Sequence, residues 1–218
     1  MSVAAVVAAS LLLPGCEAVT SFETACQKDL QPAQVSVDVA PMDYASNFKL
    51  GAAELTAKGA ASAGRLTLGY IETQLKATLT AGGVGKVHPF TRRYCIRPQI
   101  GIRLAFAPTT LYVAREQPEG SCEFKVVMDH ELQHFREYQA ILSDLADRME
   151  TDMRARYGEP ILYFPSAAEA ERTLQAQIGA YIGEQGEKMR AEMVARQGRF
   201  DTPEEYFRLE RFREACSH

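Results

Sequence analysis

No run of apolar residues in this chain is long enough to cross a bilayer. The one candidate, residues 3–13, covers about 11 positions where a spanning helix needs about 20. A basic stripe is missing too. The 24 Lys and Arg are scattered among 28 Asp and Glu, for a net charge of −4, which argues against a nucleic-acid surface. There is no internal repeat and no low-complexity segment, so a solenoid or a disordered array is excluded. Tryptophan is absent, and nothing about function follows from that. Histidine is scarce, with four in all: His88, His130, His134 and His218.

What is present is ordinary globular material. The 218 residues are 46% apolar and 24% charged, enough for one domain with a real core. The first residues stand apart from it. The apolar run at 3–13 is followed by Leu13-Pro14-Gly15-Cys16, which resembles a bacterial lipoprotein signal, although no Lys or Arg precedes it. That reading divides the chain into a signal at 1–15, a tether at 16–33 and a single domain at 34–218. It implies export to the bacterial cell envelope, with a membrane anchor through lipid on Cys16. Four cysteines then remain: Cys26, Cys95, Cys122 and Cys216. An even number in an oxidising compartment suggests two disulfides, with three possible pairings. The expected pairs are Cys95–Cys122, tying a strand to the start of a helix, and Cys26–Cys216, tying the two chain ends.

The spacing of apolar residues predicts an α+β fold. Strands fill 34–120 and helices fill 121–218. Val35, Val37 and Val39 alternate with polar neighbours. Residues 51–64 suggest a loop or short helix, and 65–79 alternate well up to the stop at Gly82-Gly83. Tyr94, Ile96, Ile100, Ile102, Leu104 and Phe106 share even positions, as in one half-buried strand. Ala107-Pro108-Thr109 reads as a turn, and Leu111-Tyr112-Val113-Ala114 as a returning strand, giving an antiparallel meander. From Phe124 the period changes to that of a helix, through Phe135, Leu142, Leu145, Met149 and Met153. It fades at Tyr157-Gly158-Glu159-Pro160. Ser166-Ala167-Ala168-Glu169 opens a second long helix, expected antiparallel to the first, which Gly198 ends. Thr202-Pro203 opens a short third one.

The first helix carries His130-Glu131-Leu132-Gln133-His134. One turn separates the two imidazoles, so both can bind one zinc ion, with the intervening Glu beside the metal's water. On a helical wheel Glu131 falls on the apolar face, between Phe124 and Phe135. A carboxylate there is costly unless a site partners it. A surface helix with two exposed histidines is the bland alternative. A ferritin-like di-iron site would need a second Glu-x-x-His on another helix, and neither His88 nor His218 supplies it.

Residues 130–134 resemble the zincin metallopeptidases, in which a strand precedes the HExxH helix. The stretch from Cys95 through Gly120-Ser121-Cys122 to His134 is also similar to a family of secreted bacterial HExxH proteins described as zinc-dependent proteases. The resemblance implies a zincin-like fold, bound zinc, peptide or protein substrates, and peptide-bond hydrolysis with Glu131 as general base. Leu111 to Arg115 would be the strand that aligns substrate. The metzincin branch would add a glycine at 137 and a histidine at 140; this chain has Glu137 and Ala140. The third ligand therefore comes from elsewhere. If the second helix folds back from Tyr157 at Ser166, it regains the level of His134 near Met189 to Glu192, and Glu192 lies on its apolar stripe. Glu192 is accordingly the expected ligand and Glu205, in the following segment, its rival. Glu137 and His88 complete the set. Tyr206 is the expected oxyanion donor, with Tyr181 or His88 as alternatives. The competing function is a non-catalytic envelope lipoprotein or metal-binding scaffold with a vestigial HExxH.

Overall fold

One long strand, Gln99–Val113, organises the protein. Its Ile100, Ile102, Leu104 and Phe106 are buried on one face. The computed structural model describes residues 21–59 and 66–216; the signal-like segment and Cys16 lie outside them. In chain order the elements are α1 (Phe22–Asp29), β1 (Gln34–Val39), β2 (Ala45–Asn47), α2 (Ala52–Lys58), β3 (Gly69–Gly82), β4 (Gly85–Val87), β5 (Tyr94–Ile96), β6 (Gln99–Val113), α3 (Cys122–Tyr157), β7 (Leu162–Phe164), α4 (Ala167–Gln197) and α5 (Pro203–Ala215). The fold is mixed α and β, as expected, and α1 occupies part of the expected tether.

The sheet is not a simple meander. β3 pairs antiparallel with the whole of β6, from Gly69 opposite Val113 to Gly82 opposite Gln99. The other edge of β6 is shared by two parallel partners, β1 up to Leu104 and β2 from Thr110. The predicted turn at Ala107-Pro108-Thr109 is the gap between them, and β6 runs straight through it. There β6 carries one residue more than β3, between Phe106 opposite Leu75 and Thr109 opposite Thr73. Such a bulge reverses the alternation: the buried positions are even up to Phe106, then become Thr109, Leu111 and Val113. In the sequence that change of phase imitates a turn. Pro108 has no N–H to donate and sits where no parallel neighbour asks for one.

The expected single strand through 94–106 is also divided, at Arg97-Pro98. β5 turns into a second antiparallel sheet, β4-β5-β7. That sheet explains the disulfides. The pairs are Cys26–Cys95 and Cys122–Cys216, correcting the expected Cys95–Cys122 and Cys26–Cys216. β5 lies against α1, with Cys26, Leu30 and Cys95 in one buried cluster. α5 instead returns to the start of α3 and brings Cys216 to Cys122. Both bonds point to an oxidising compartment, and no helix among the described residues is long and apolar enough to cross a membrane.

Helices α3 and α4 are antiparallel and cover one sheet face. The main core joins Val35, Val37, Ile102 and Leu104 to Leu142, Leu145, Met149 and Met153 of α3 and Leu174 and Ile178 of α4. A second cluster, Ile71, Leu111, Val113, Phe124, Val127 and Phe135, supports the histidine-bearing part of α3. Ser121 caps α3, its Oγ accepting from the Phe124 N–H.

Candidate metal centre

Three segments converge beside the N-terminal half of α3. His130, Glu131 and His134 are all buried, at most 8% exposed. Helical spacing places the two imidazoles one above the other, and their Nε2 atoms lie 3.1 Å apart. The end of α4 supplies Gln197, whose Oε1 accepts from His134 Nδ1. That contact leaves the His134 Nε2 lone pair facing the cluster. The turn into α5 supplies Asp201. Its Oδ1 lies 3.2 Å from His134 Nε2 and 3.4 Å from His130 Nε2. On α5, Tyr206 donates its hydroxyl to the same Oδ1 at 3.0 Å.

His130, His134 and Asp201 therefore present three ligand atoms at the corners of a small triangle. The edges are 3.1, 3.2 and 3.4 Å. Zinc bonds of about 2.0–2.1 Å in a tetrahedron imply donor separations of about 3.3–3.4 Å. The donor set fits one such ion. Two imidazoles and a carboxylate also suit zinc or a related transition metal better than magnesium or calcium, which favour oxygen alone.

The electrostatics match a site built for a cation. Burial would raise the Asp201 carboxyl, but hydrogen bonds to His130, His134 and Tyr206 hold it far below the usual carboxylate range. Burial pulls the His134 imidazole down, yet Asp201, Glu131 and Gln197 outweigh it and raise its pKa. Burial pushes the Glu131 carboxyl up from its ordinary 4.5 to about 7, against the pull of the two histidines. Glu131 packs against the backbone of Gly69 at the start of β3, where a Cβ would stand 2.6 Å from Glu131 Cγ. Burial, reinforced by the charge on Glu131, also raises Tyr138 to about 12.

The other expected residues lie elsewhere. The carboxylate of Glu192 is paired with Arg148 at 2.9 Å and Arg196 at 2.7 Å. Arg196 in turn holds Glu137 at 3.1 Å. Glu205 approaches only the far side of His130, with Oε1 4.0 Å from Nδ1, and is gripped by Arg208. His88 caps a distant turn, its Nδ1 accepting from the N–H groups of Phe90 and Thr91. Tyr181 donates to Asp152 at 2.7 Å. Leu111 to Val113 cannot align a substrate, because β2 and β3 occupy both edges.

Asp201 was missed, and so was Gln197. The helix register is the reason. Tyr157 faces Gln177 rather than Ser166, because the first turns of α4 overhang α3 and pack on the small sheet, with Ala170 against Tyr94 and Ile96. The level of His134 is reached at Gln197, not at Glu192. The usable signal was the polar turn between Gly198 and the Thr202 cap, which must fall at that level once the overhang is counted.

The cluster opens into a cavity of about 1060 Å³. Its walls are residues 66–71, which lead into β3 and begin it, α3, and the inner face of α5, with Tyr206, Leu209, Glu210 and Arg213 at helical spacing. No protein-family model, no curated protein and no solved structure matches this chain.

Proposed function

We propose that this protein is a zinc-dependent peptide-bond hydrolase, with His130, His134 and Asp201 as ligands and Glu131 as general base. The observation that carries the reading is the triangle of donors with zinc-like edges beside a buried carboxyl whose pKa lies near neutrality. Bound in that triangle, zinc would supply Lewis acidity, polarising a carbonyl and making water easier to ionise.

The chain's own groups account for the rest. Gln197 fixes the His134 tautomer, and Glu205 stands behind the Nδ1 of His130. Glu131, whose ionised form the two histidines favour and a bound cation would favour further, takes a proton from the attacking water as the C–O bond forms. It returns that proton to the amide nitrogen as the C–N bond breaks. Tyr206 lines the cavity with its hydroxyl donated to Asp201; turned from that carboxylate, it would serve as donor to a developing oxyanion.

Substrate alignment passes from the expected Leu111–Arg115 strand to β3. Residues 66–71 line the cavity, and among the described residues no strand pairs with the outer edge of β3. An extended peptide can add there through main-chain hydrogen bonds. Leu66, Leu68, Ile71, Val127 and Phe207 would surround an apolar side chain. The disulfides fit work in an exported compartment, and a lipid on Cys16 would keep the enzyme at the bacterial envelope.

Hydrolysis of an unstructured protein by the zinc-loaded chain tests the proposal. Glu131→Gln should retain zinc and lose turnover by at least about 1000-fold, as expected when a general base acting in both proton transfers is removed. A stoichiometrically loaded wild type that cleaves nothing in a broad peptide panel would leave a non-catalytic metal-binding envelope protein as the better description.

A further inference from the structure

The β4–β5 hairpin bears the most exposed large apolar side chain among the described residues. Phe90 is 90% exposed at its tip; Val87, at the tip end of β4, is 52% exposed, and Val84, just before β4 at the base of the hairpin, is 82% exposed. Isolated apolar residues on a surface need no explanation, but an almost fully exposed phenylalanine beside an exposed valine on one tight turn does. The tip is not loose. His88 donates its backbone N–H to Arg93 O at 2.7 Å, and its Nδ1 accepts from the N–H groups of Phe90 and Thr91. Arg92 closes the turn in the left-handed region, with φ of 61°. The Cys26–Cys95 bond and the pairing of β5 with β7 hold the hairpin from behind. A rigid hairpin thus holds a phenylalanine out into solvent.

The charge around it is mostly positive. Lys86, Arg92 and Arg93 lie on the hairpin and Lys28 on α1, in a chain whose net charge is −4. Arg92 and Arg93 are exposed at the tip itself. Glu23 and Asp29 of α1 offset Arg93 and Lys86, and the hairpin with α1 remains net positive.

Helix α1 starts close to the hairpin tip. Phe22, its first residue, lies 5.1 Å from the His88 ring, which lies 6.1 Å from the Phe90 ring. The start of α1 and the hairpin tip therefore share one side of the protein. A lipid on Cys16, six residues before Phe22, would bring that side within about 20 Å of a bilayer.

We infer that this hairpin is a membrane-surface contact: Phe90, with Val87, enters the interfacial layer of a bilayer while Arg92 and its neighbours meet anionic headgroups. The chemistry is that of interfacial anchoring, apolar insertion plus electrostatic attraction. It is a contact additional to any lipid on Cys16; the contact stands apart from the hydrolase reading, and only its consequence for the cleft rests on that reading. It also orients the enzyme. Hairpin and metal centre lie at opposite ends of β3, whose 14 residues span roughly 40 Å. The cleft is therefore held away from the lipid and offered to substrates outside the bilayer.

Because the chain has no tryptophan, Phe90→Trp in the full-length protein gives a probe at the tip alone. On vesicles containing about a third phosphatidylglycerol its emission should move to shorter wavelength, and brominated lipid should quench it. The shift should weaken on purely zwitterionic vesicles and with added salt. Phe90→Ser, at a position too exposed to affect folding, should weaken vesicle binding about tenfold or more. Emission that stays at the solvent-exposed wavelength while the protein sediments with vesicles would overturn the inference, as would failure to bind them. A shift indifferent to lipid charge would overturn the assignment to an anionic surface.

Discussion

Replacing Glu131 by glutamine should stabilise the metal-free protein above neutral pH while leaving it unchanged in acid. The unfolded chain releases this proton near 4.5, whereas the buried folded carboxyl holds it up to about 7. Between those values the native state binds more protons, so stability falls as pH rises. Glutamine has the same shape and no charge, so the variant lacks that slope. A span from 4.5 to about 7, at about 1.4 kcal/mol per unit, corresponds to about 3 kcal/mol. For a chain of this size that is roughly 6–12 °C in Tm. Thermal unfolding in the presence of a chelator, from pH 4 to pH 8, reads it directly. The two curves should coincide near pH 4, and the variant should lead by several degrees at pH 8. Parallel curves, or a wild type more stable at pH 8, would show that the carboxyl is hydrated or already paired, and the placement of the base would fail with it.

Asp201→Ala should lower zinc affinity by at least about 100-fold, since loss of outer partners alone costs about 10–100-fold. Glu192→Ala, which breaks only ion pairs to Arg148 and Arg196, should keep full zinc content at a stability cost of at most about 1 kcal/mol; competition with a chromophoric chelator measures both. Gly69→Ala puts a methyl against Glu131, so zinc should stay bound while hydrolysis falls about 100-fold, the cost of misplacing a reacting group by about 1 Å. Cys216→Ser should lower stability by about 2–4 kcal/mol in denaturant. It should also weaken zinc binding, because α5 buries no residue of its own and the bond to Cys122 secures the segment that carries Asp201 and Tyr206.

The helical half was readable because its periodicity extends over many turns. Residues from Phe124 to Met153 share one face, and the caps at Ser166 and Thr202 mark helix starts, as found. Glu131 on the apolar face was readable for the same reason. The strand half was read less well. A bulge at Pro108 and a strand change at Arg97-Pro98 are local irregularities, and in sequence they are indistinguishable from turns. Parallel pairing of β1 and β2 to one edge of β6 joins residues more than 60 apart, a distance over which alternation carries no information. The third donor and the disulfides failed together. Both depend on how far α4 overhangs α3 and where α5 returns, which packing against the small sheet decides.

The most direct measurement is the zinc K-edge absorption spectrum of protein loaded with one equivalent of zinc, taken on the wild type and on Asp201→Ala and His134→Ala. The account predicts four-coordinate zinc with two imidazole nitrogens and oxygen donors at about 2.0 Å, one imidazole fewer in His134→Ala, and altered oxygen coordination in Asp201→Ala. Zinc bound without imidazole, or a spectrum unchanged by either substitution, would contradict it.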